Sequence, residues 1–225
     1  MDGGFAPRVA MPAENARHTD KSVPPKIACF QDALGNAVHT VSAGPVENQV
    51  ILITGMGPIG LFAITTCKAM GAAKVIVTEV SSYRMEIARQ LGADVLINPL
   101  KENALAKVLK AMPAGVDATL EMSGHPDSLK LAIDATRPGG RISLLGVYPE
   151  SEVPINMDHV IFKGISIQGI VGRRLWETWD LMGTLLSSNS LNLEPVITHS
   201  LPYTEFQTGM ELLKAGQAGK LVFTF

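Results

Sequence analysis

The sequence has little cysteine, little net charge and no long apolar run. Its two cysteines, Cys29 and Cys67, do not form a C-x-x-C pair, so neither a disulfide framework nor a cysteine zinc cluster can be built from them. The formal net charge of −2 gives no electrostatic reason to expect binding to nucleic acid or to an anionic membrane. We find no apolar segment that could span a bilayer and no signal peptide in residues 1–12, and we therefore expect a cytoplasmic protein with reduced thiols.

A glycine-rich turn follows an unbroken apolar run, residues 50–53. Such a run, bounded by glycine, is typical of a parallel strand that is buried on both faces. Gly55, Gly57 and Gly60 follow in G-x-G-x-x-G spacing, and a helical pattern begins there. The first glycine makes a tight turn, the second lets a pyrophosphate approach the backbone, and the third lets helix and strand pack closely. The helix N-terminus adds unpaired N–H groups and the positive end of its dipole.

The residues after this turn decide its interpretation, because an isolated G-x-G-x-x-G is a weak signal. A second predicted strand, residues 74–80, carries the acidic residue Glu79 about 20 residues past the motif. A carboxylate there would accept hydrogen bonds from the adenosine ribose and repel a 2′-phosphate. The sequence therefore favours a dinucleotide site over a structural turn, and NAD over NADP.

Strand and helix patterns alternate along most of the chain. Predicted strands cover residues 50–54, 75–79, 94–98, 117–122, 141–147 and 165–171. Predicted helices cover residues 26–42, 58–70, 81–91, 101–112, 127–136 and 174–188, and Pro138, Gly139 and Gly140 are expected to stop the fifth of these helices. This alternation predicts a doubly wound parallel α/β sheet of the Rossmann type, with six strands in the order 3-2-1-4-5-6. Its ligand crevice is expected near residues 55–60, 79, 121–124 and 145–147.

Both ends of the chain fall outside this predicted sheet. Residues 1–25 are rich in glycine, proline and polar side chains, which is typical of a loose arm or a disordered tail. At the other end, a predicted helix over residues 203–215 precedes a short apolar strand, residues 220–225, that a six-stranded sheet does not need. We expect the arm and this strand to be poorly ordered, or to pair with each other or with another chain.

Several short motifs indicate a family resemblance. They are LGNAVHT at 34–40, GPIGL at 57–61, YRMEIAR at 83–89, EMSG at 121–124, GGRISLLGV at 139–147, IFKGISIQGI at 161–170, ETW at 177–179 and AGK at 218–220. In order and spacing they resemble the zinc-dependent medium-chain dehydrogenases, and within them the threonine dehydrogenases. The resemblance runs from residue 3 to the C-terminus. It implies NAD-dependent oxidation of L-threonine to 2-amino-3-oxobutanoate.

The resemblance also implies roles for individual residues. The implied cofactor-binding residues are Gly55, Gly57, Ile59 and Gly60 at the pyrophosphate, Glu79 at the ribose, Arg84 beside the adenosine, and Leu145, Gly146, Val147, Ile170 and Val171 at the nicotinamide end. Asp32 matches an aspartate that the family uses near its metal site as a proton-relay partner, not as a ligand. Family members also pair through the edge strand that corresponds to residues 165–170, so we expect a homo-oligomer.

The zinc ligands of the family have no counterpart that we can identify in this sequence. The family carries a catalytic zinc on cysteine, histidine and glutamate, and a structural zinc on four cysteines, and both lie in an N-terminal domain. The segment GGFAPRVAMPAENA at 3–16 resembles only the last piece of that domain. We therefore expect a catalytic-domain remnant at 1–25, a NAD-binding domain at 26–200 and a C-terminal segment at 201–225. Without a Lewis acid to lower the pKa of the threonine hydroxyl, hydride transfer should be slow. The alternative function is thus a non-catalytic NAD-binding or oligomerisation fragment.

Five residues also have a structural interpretation. Arg84 is either an adenine contact or a solvated helix residue, and Glu121 is either functional or bonded to neighbouring backbone N–H groups. His39 could be catalytic, although satisfaction by local hydrogen bonds is favoured. Trp176 and Trp179 are spaced to share one helix face, where core or subunit packing is favoured over substrate stacking.

Overall fold

The computed structural model of the chain describes residues 6, 8–150 and 152–225, and a six-stranded sheet forms its centre. The strands of this sheet are β1 (Val50–Thr54), β2 (Lys74–Thr78), β3 (Val95–Ile97), β4 (Val116–Glu121), β5 (Thr136–Leu144) and β6 (Ser166–Gly169). Their order is β3-β2-β1-β4-β5-β6, and each neighbouring pair is parallel. The predicted Rossmann-type fold and its strand order are confirmed.

Helices connect the strands and flank the sheet. They are α1 (Pro25–Ala28), α2 (Gln31–Ser42), α3 (Pro58–Ala69), α4 (Ser82–Gln90), α5 (Ala104–Ala111), α6 (Pro126–Ala135), α7 (Met157–Lys163), α8 (Glu177–Ser187) and α9 (Phe206–Lys214). The short helix α7, between β5 and β6, is not predicted from the sequence pattern. Across the described ranges, none of the helices is long and apolar enough to cross a membrane.

The position of β1 inside the sheet explains why its residues 50–53 are all apolar. Ile51 and Ile53 belong to one hydrophobic cluster, which includes residues of α2, α3 and α8. Val50 and Leu52 belong to a second cluster, against which residues of α5 and α6 pack. Alternate residues of a strand point to opposite faces, so both faces of β1 are covered. Burying one such aliphatic side chain contributes about 1.5–3 kcal/mol.

The helix predicted over residues 26–42 is interrupted in the structure. α1 ends at Ala28 and α2 begins at Gln31, and the intervening Phe30 has non-helical dihedrals, with φ −119° and ψ 16°. The ring of Phe30 is fully buried and stacks on Phe62 of α3, with 5.0 Å between ring centroids. Packing of this aromatic pair therefore takes precedence over the helical periodicity.

β5 begins and ends earlier than predicted. Thr136 pairs with Val116 and Arg141 pairs with Ala118, so residues 137–140 bulge out of the ladder between them. This bulge contains the proline and two glycines to which the sequence pattern assigns the end of a helix, and helix α6 does end at Ala135, just before them. A bulge tolerates proline because its residues do not all donate ladder hydrogen bonds.

A second sheet near the C-terminus contains two parallel strands, β7 (Ile197–Pro202) and β8 (Lys220–Thr224). The sequence pattern does not predict β7. The partner of the C-terminal strand therefore lies within the chain, and the expectation that this strand is disordered or pairs with the arm or another chain is wrong. Helix α9 lies close to β8, since a Cβ on Gly209 would be 2.7 Å from Cζ of Phe223. Val222 of β8 belongs to the same core as α3.

The N-terminal arm, of which residues 6 and 8–24 are described, contacts α8. Arg17 forms an ion pair with Asp180, and its guanidinium carbon lies 4.9 Å from the centroid of the Trp176 ring. The Trp176 ring lies 6.5 Å from that of Trp179, so this aromatic pair takes part in packing between arm and helix. Residues 1–5 and 7, which belong to the expected remnant, are outside the described residues.

Candidate cofactor-binding crevice

A crevice of about 550 Å³ opens beyond the carboxyl ends of β1, β2 and β4. Its lining includes Gly55, Gly57, Glu79, Arg84, Ser123 and Leu131. This is the edge at which open parallel α/β sheets bind their ligands, and the volume is typical of a small-molecule pocket. The sheet therefore brings four of the predicted cofactor residues into one cavity. Ile59 and Gly60 belong to the first turn of α3, directly beside them.

The three glycines of the turn meet different surroundings. Gly55 has a φ of +82°, and a Cβ on it would lie 2.8 Å from Cα of Ser123. A Cβ on Gly60 would lie only 2.0 Å from the carbonyl oxygen of Gly55. In contrast, a Cβ on Gly57 would meet no heavy atom within 4 Å among the described residues. Two of the glycines are thus required by the fold, whereas the third leaves open space at the crevice.

Glu79 shapes the turn through its side chain. Its carboxylate is buried, and Oε2 accepts a hydrogen bond of 2.7 Å from the backbone N–H of Met56. Oε1 accepts bonds of 2.8 Å from the N–H groups of Val80 and Ser81. One carboxylate therefore joins the glycine turn to the start of α4. Its predicted contact with a ribose stays a prediction, and a carboxylate with several lone pairs retains capacity for a further donor.

Arg84 lies in the first turn of α4, which Ser81 caps by accepting a 3.4 Å bond from the N–H of Arg84. Its side-chain Nε is buried and has no hydrogen-bond partner among the described residues. A buried guanidinium N–H is costly to leave unpaired, so this atom fits an acceptor that a ligand in the crevice would supply. Together with the open space at Gly57, it makes the crevice suitable for a dinucleotide.

Glu121 ends β4 and is completely buried at the rim of the crevice. Its Oε1 accepts hydrogen bonds from Oγ1 of Thr54 at 3.2 Å and from the N–H groups of Ser123 and Gly124 at 2.8 and 3.0 Å. Its Oε2 accepts a 2.7 Å bond from the hydroxyl of Tyr148. Burial and the neighbouring Glu121 carboxylate both raise the pKa of Tyr148. The backbone-bonded interpretation of Glu121 is therefore correct, and Tyr148 is a partner that sequence reasoning missed.

The residues predicted at the nicotinamide end directly follow two strands. Leu145, Gly146 and Val147 follow β5, and Ile170 and Val171 follow β6. The N–H groups of Leu145 and Gly146 both donate to the carbonyl oxygen of Glu121, at 2.9 and 3.1 Å. A Cβ on Gly146 would lie 2.2 Å from the backbone nitrogen of Gly124. Val147 is 91% exposed, so its side chain lies open to a ligand or another surface.

Asp32 and His39 lie on α2 and do not line the crevice. Asp32 is 66% exposed and pairs with Nη2 of Arg173 at 2.7 Å, and the aliphatic part of Arg173 crosses α2 at Gly35. Close packing thus explains why α2 has a glycine in its interior. Nδ1 of His39 lies 2.9 Å from the carbonyl oxygen of Gly172. The hydrogen-bond partner of His39 is therefore distant in the sequence, whereas a local partner was expected.

Neither residue belongs to a metal centre in the described structure. Within residues 6, 8–150 and 152–225, no three His, Cys, Asp or Glu side chains come together in a group that could hold a metal ion. The described residues therefore do not fit the zinc that the family resemblance implies. The proton-relay role of Asp32 stays a prediction.

Comparisons with known proteins indicate one family of dehydrogenases. A sequence profile of the family described as zinc-binding dehydrogenase matches residues 58–188. The L-threonine 3-dehydrogenase of Pyrococcus horikoshii is 46% identical over 225 residues, which cover 99% of this chain and 64% of that protein. The chain thus spans just under two thirds of the length of the curated relatives that it matches.

Two solved structures are similar in fold. The alcohol dehydrogenase TADH from Thermus sp. ATN1 has a TM-score of 0.86 and 29% identity, over 93% of this chain and 61% of its own. A short chain alcohol dehydrogenase (rspB) from Escherichia coli CFT073, complexed with NADH, has a TM-score of 0.87 and 25% identity, over 96% of this chain and 64% of its own.

Proposed function

Because the chain belongs to the zinc-binding dehydrogenase family, we propose that it forms the NAD-binding half of an enzyme that oxidises L-threonine to 2-amino-3-oxobutanoate. The observation that carries the proposal is that one crevice is lined both by Gly57, which leaves open space, and by Arg84, whose Nε has no hydrogen-bond partner among the described residues. The choice of substrate follows relatives such as the L-threonine 3-dehydrogenase of Pyrococcus horikoshii. In this proposal residues 26–200 bind the cofactor, and residues 1–25 and 201–225 belong with a catalytic domain.

The pyrophosphate of the cofactor would lie over the glycine turn. The first N–H groups of α3 have no partner within that helix, and the helix dipole is positive at this end. Gly57 leaves room for the phosphate to approach, and Ile59 and Gly60 follow it in the first turn of α3. In this arrangement Glu79 contacts the ribose and Arg84 contacts the adenosine. Bound NAD would supply the acceptor for a hydride from C3 of threonine.

The charge of Glu79 favours NAD over NADP in this proposal. Its buried carboxylate stands on the wall of the crevice and would repel a 2′-phosphate. Leu145, Gly146 and Val147, with Ile170 and Val171, do not line the crevice itself, and in this proposal they would face the nicotinamide beyond it. These residues follow the carboxyl ends of β5 and β6, where the second mononucleotide half of the fold binds its ligand.

A non-catalytic NAD-binding or oligomerisation module is the second candidate function. It is favoured by the observation that the described residues offer no group of side chains that could hold zinc. The two functions differ in zinc content and turnover. Stoichiometric zinc, together with reduction of NAD by L-threonine, would exclude the module. NADH binding without metal and without turnover would exclude catalysis by this chain.

The cofactor site itself is tested by titrating NADH and NADPH into the purified chain and following nicotinamide fluorescence. We expect tighter binding of NADH. Arg84→Met should weaken NADH binding by about tenfold or more, because it removes hydrogen bonds from a charged donor. The matched control is Arg89→Met on the same helix, since Arg89 is exposed and pairs with Glu86. Equal losses in the two variants, or tighter binding of NADPH, would contradict these roles for Arg84 and Glu79.

The same proposal includes a second copy of the chain as a partner. β6 is the outer strand of the sheet, and its four residues are exposed. Beside it, α7 exposes Ile161 and Phe162, the latter at 85%. An uncovered strand edge next to apolar side chains supports pairing with another copy through residues 165–170. Sedimentation equilibrium should find a dimer that Ile167→Lys dissociates, and a wild-type monomer at micromolar concentration would contradict the pairing.

A further inference from the structure

We infer that Glu121 and Tyr148 are positioning residues that fix the spacing between the glycine turn at residues 55–60 and the segment 145–147, to which the proposed function assigns the nicotinamide. This inference rests on the proposed function. The groups concerned are the carboxylate of Glu121 and its donors on Thr54, Ser123, Gly124 and Tyr148, together called the Glu121 network. Its members come from three different strand ends, those of β1, β4 and β5.

The backbone contacts of Glu121 hold the segment after β5. The N–H groups of Leu145 and Gly146 both donate to its carbonyl oxygen. A Cβ on Gly146 would lie 2.2 Å from the backbone nitrogen of Gly124, and a Cβ on Gly124 would lie 2.2 Å from the carbonyl oxygen of Val147. The segments 122–124 and 145–148 therefore interlock, and neither glycine could carry a side chain without displacing the other segment.

The side-chain contacts of Glu121 act on the same two segments. One oxygen accepts the N–H groups of Ser123 and Gly124, and the other accepts the hydroxyl of Tyr148 at 2.7 Å. The carboxylate is fully buried, so no bulk water can replace a donor that is lost. A carboxylate can only accept, and each of these donors therefore has a defined orientation.

The glycine turn is linked to this network through Ser123. A Cβ on Gly55 would lie 2.8 Å from Cα of Ser123, so the turn and the 122–124 segment are in contact. On the far side, Tyr148 directly follows Val147, whose side chain is 91% exposed and has little packing of its own. We therefore expect the Tyr148–Glu121 hydrogen bond to hold Val147 in position together with the contact between the Val147 backbone and Gly124. The network thus runs from the pyrophosphate turn to the nicotinamide wall.

The test compares NADH with ADP-ribose, which lacks only the nicotinamide. Tyr148→Phe keeps the ring and removes the hydrogen bond, and it should weaken NADH binding by about fivefold to tenfold while ADP-ribose binding changes less than about twofold. Glu121→Gln should shift the same ratio further, because an amide nitrogen cannot accept the donors. Tyr203→Phe is the matched control, since Tyr203 stacks on Phe225 at the C-terminus and does not line the crevice. It should change neither affinity.

A second readout does not depend on ligand binding. Hydrogen exchange of the amides in residues 122–124 and 145–148 should become faster in Tyr148→Phe than in the wild type, and it should not do so in Tyr203→Phe. Equal loss of NADH and ADP-ribose affinity, or unchanged exchange in both segments, would overturn the positioning role. Failure of the proposed function would differ, because the wild-type chain would then bind neither ligand, and the exchange measurement would still decide the role of the network.

Discussion

Replacing Gly57 by alanine should separate cofactor binding from folding. Gly57 has φ −62° and ψ 176°, which any residue can adopt, and a Cβ there meets no described heavy atom within 4 Å. Gly60 provides the contrast within the same motif, because its Cβ would lie 2.0 Å from the carbonyl oxygen of Gly55. The same chemical change is thus harmless to the fold at one position and sterically impossible without movement at the other.

The expected magnitudes follow from these contacts. At Gly57, the N-cap of α3, alanine is less favourable than glycine, by up to about 1 kcal/mol. The lower entropy of the unfolded chain offsets this by about 0.4–1 kcal/mol, so the free energy of unfolding should change by less than about 1 kcal/mol. Gly60→Ala should lower it by about 1–3 kcal/mol through overpacking. A methyl group at Gly57 would occupy the space that the pyrophosphate needs, and we expect NADH binding to weaken at least about 30-fold, or about 2 kcal/mol.

Urea unfolding and NADH titration measure the two effects separately. Gly183→Ala on α8 is the control for a glycine with open surroundings outside the crevice, and it should leave NADH binding unchanged. The reasoning is refuted if Gly57→Ala binds NADH as tightly as the wild type does. It is also refuted if this variant loses as much stability as Gly60→Ala.

Three further predictions concern charge and burial. Glu79→Gln should lower the free energy of unfolding by about 1–3 kcal/mol, because the amide nitrogen of glutamine cannot accept backbone N–H bonds. The same variant should reduce the preference for NADH over NADPH. Urea unfolding measures the first effect, and parallel titrations of the two cofactors measure the second. Burial raises the pKa of the Cys67 thiol from 9.0 to about 12, so the unfolded chain loses this proton first as pH rises above 9. Unfolding titrations should therefore find about 1.4 kcal/mol less stability from this thiol at pH 10 than at pH 8, and Cys67→Ala should remove that dependence. Asp32→Asn should change the free energy of unfolding by less than about 1 kcal/mol, because its ion pair with Arg173 is solvent-exposed.

Each of these predictions has a contradicting result. An unchanged stability in Glu79→Gln would show that its backbone hydrogen bonds contribute nothing to the fold. An identical pH dependence in Cys67→Ala and the wild type would assign the loss above pH 9 to other groups. A loss above about 2 kcal/mol in Asp32→Asn would mean that the pair with Arg173 is far stronger than exposed ion pairs are.

The main sheet and the glycine turn could be predicted because their signals are local. An apolar run such as residues 50–53 has one stable environment, a strand covered on both faces. Gly55 and Gly60 are fixed by contacts with the turn itself and with its neighbouring loop, and Glu79 follows at the spacing that one helix and one strand require. For these elements, periodicity and glycine spacing contain the information that the tertiary structure uses.

Other features could not be predicted because their causes are distant in sequence. β7 is half exposed and mixes polar with apolar residues, and its partner β8 lies beyond an intervening helix. The bulge at residues 137–140 contains the residues typical of a turn, and only its pairing with β4 identifies it as part of a strand. The contacts Tyr148–Glu121 and Arg173–Asp32 join side chains from separate segments, and no local pattern marks either pair.

The parallel pairing of β7 with β8 has a consequence for how the protein opens. Parallel neighbours cannot be joined by a tight hairpin, so the chain must pass through α9 before it returns. Strand, helix and strand therefore form one cooperative unit, in which releasing either strand leaves the other without its ladder. Two strands alone are marginally stable, and this unit depends on Val196 and Val222 remaining packed in the core beside α3. Loss of that contact should therefore release β7, α9 and β8 together rather than one after another.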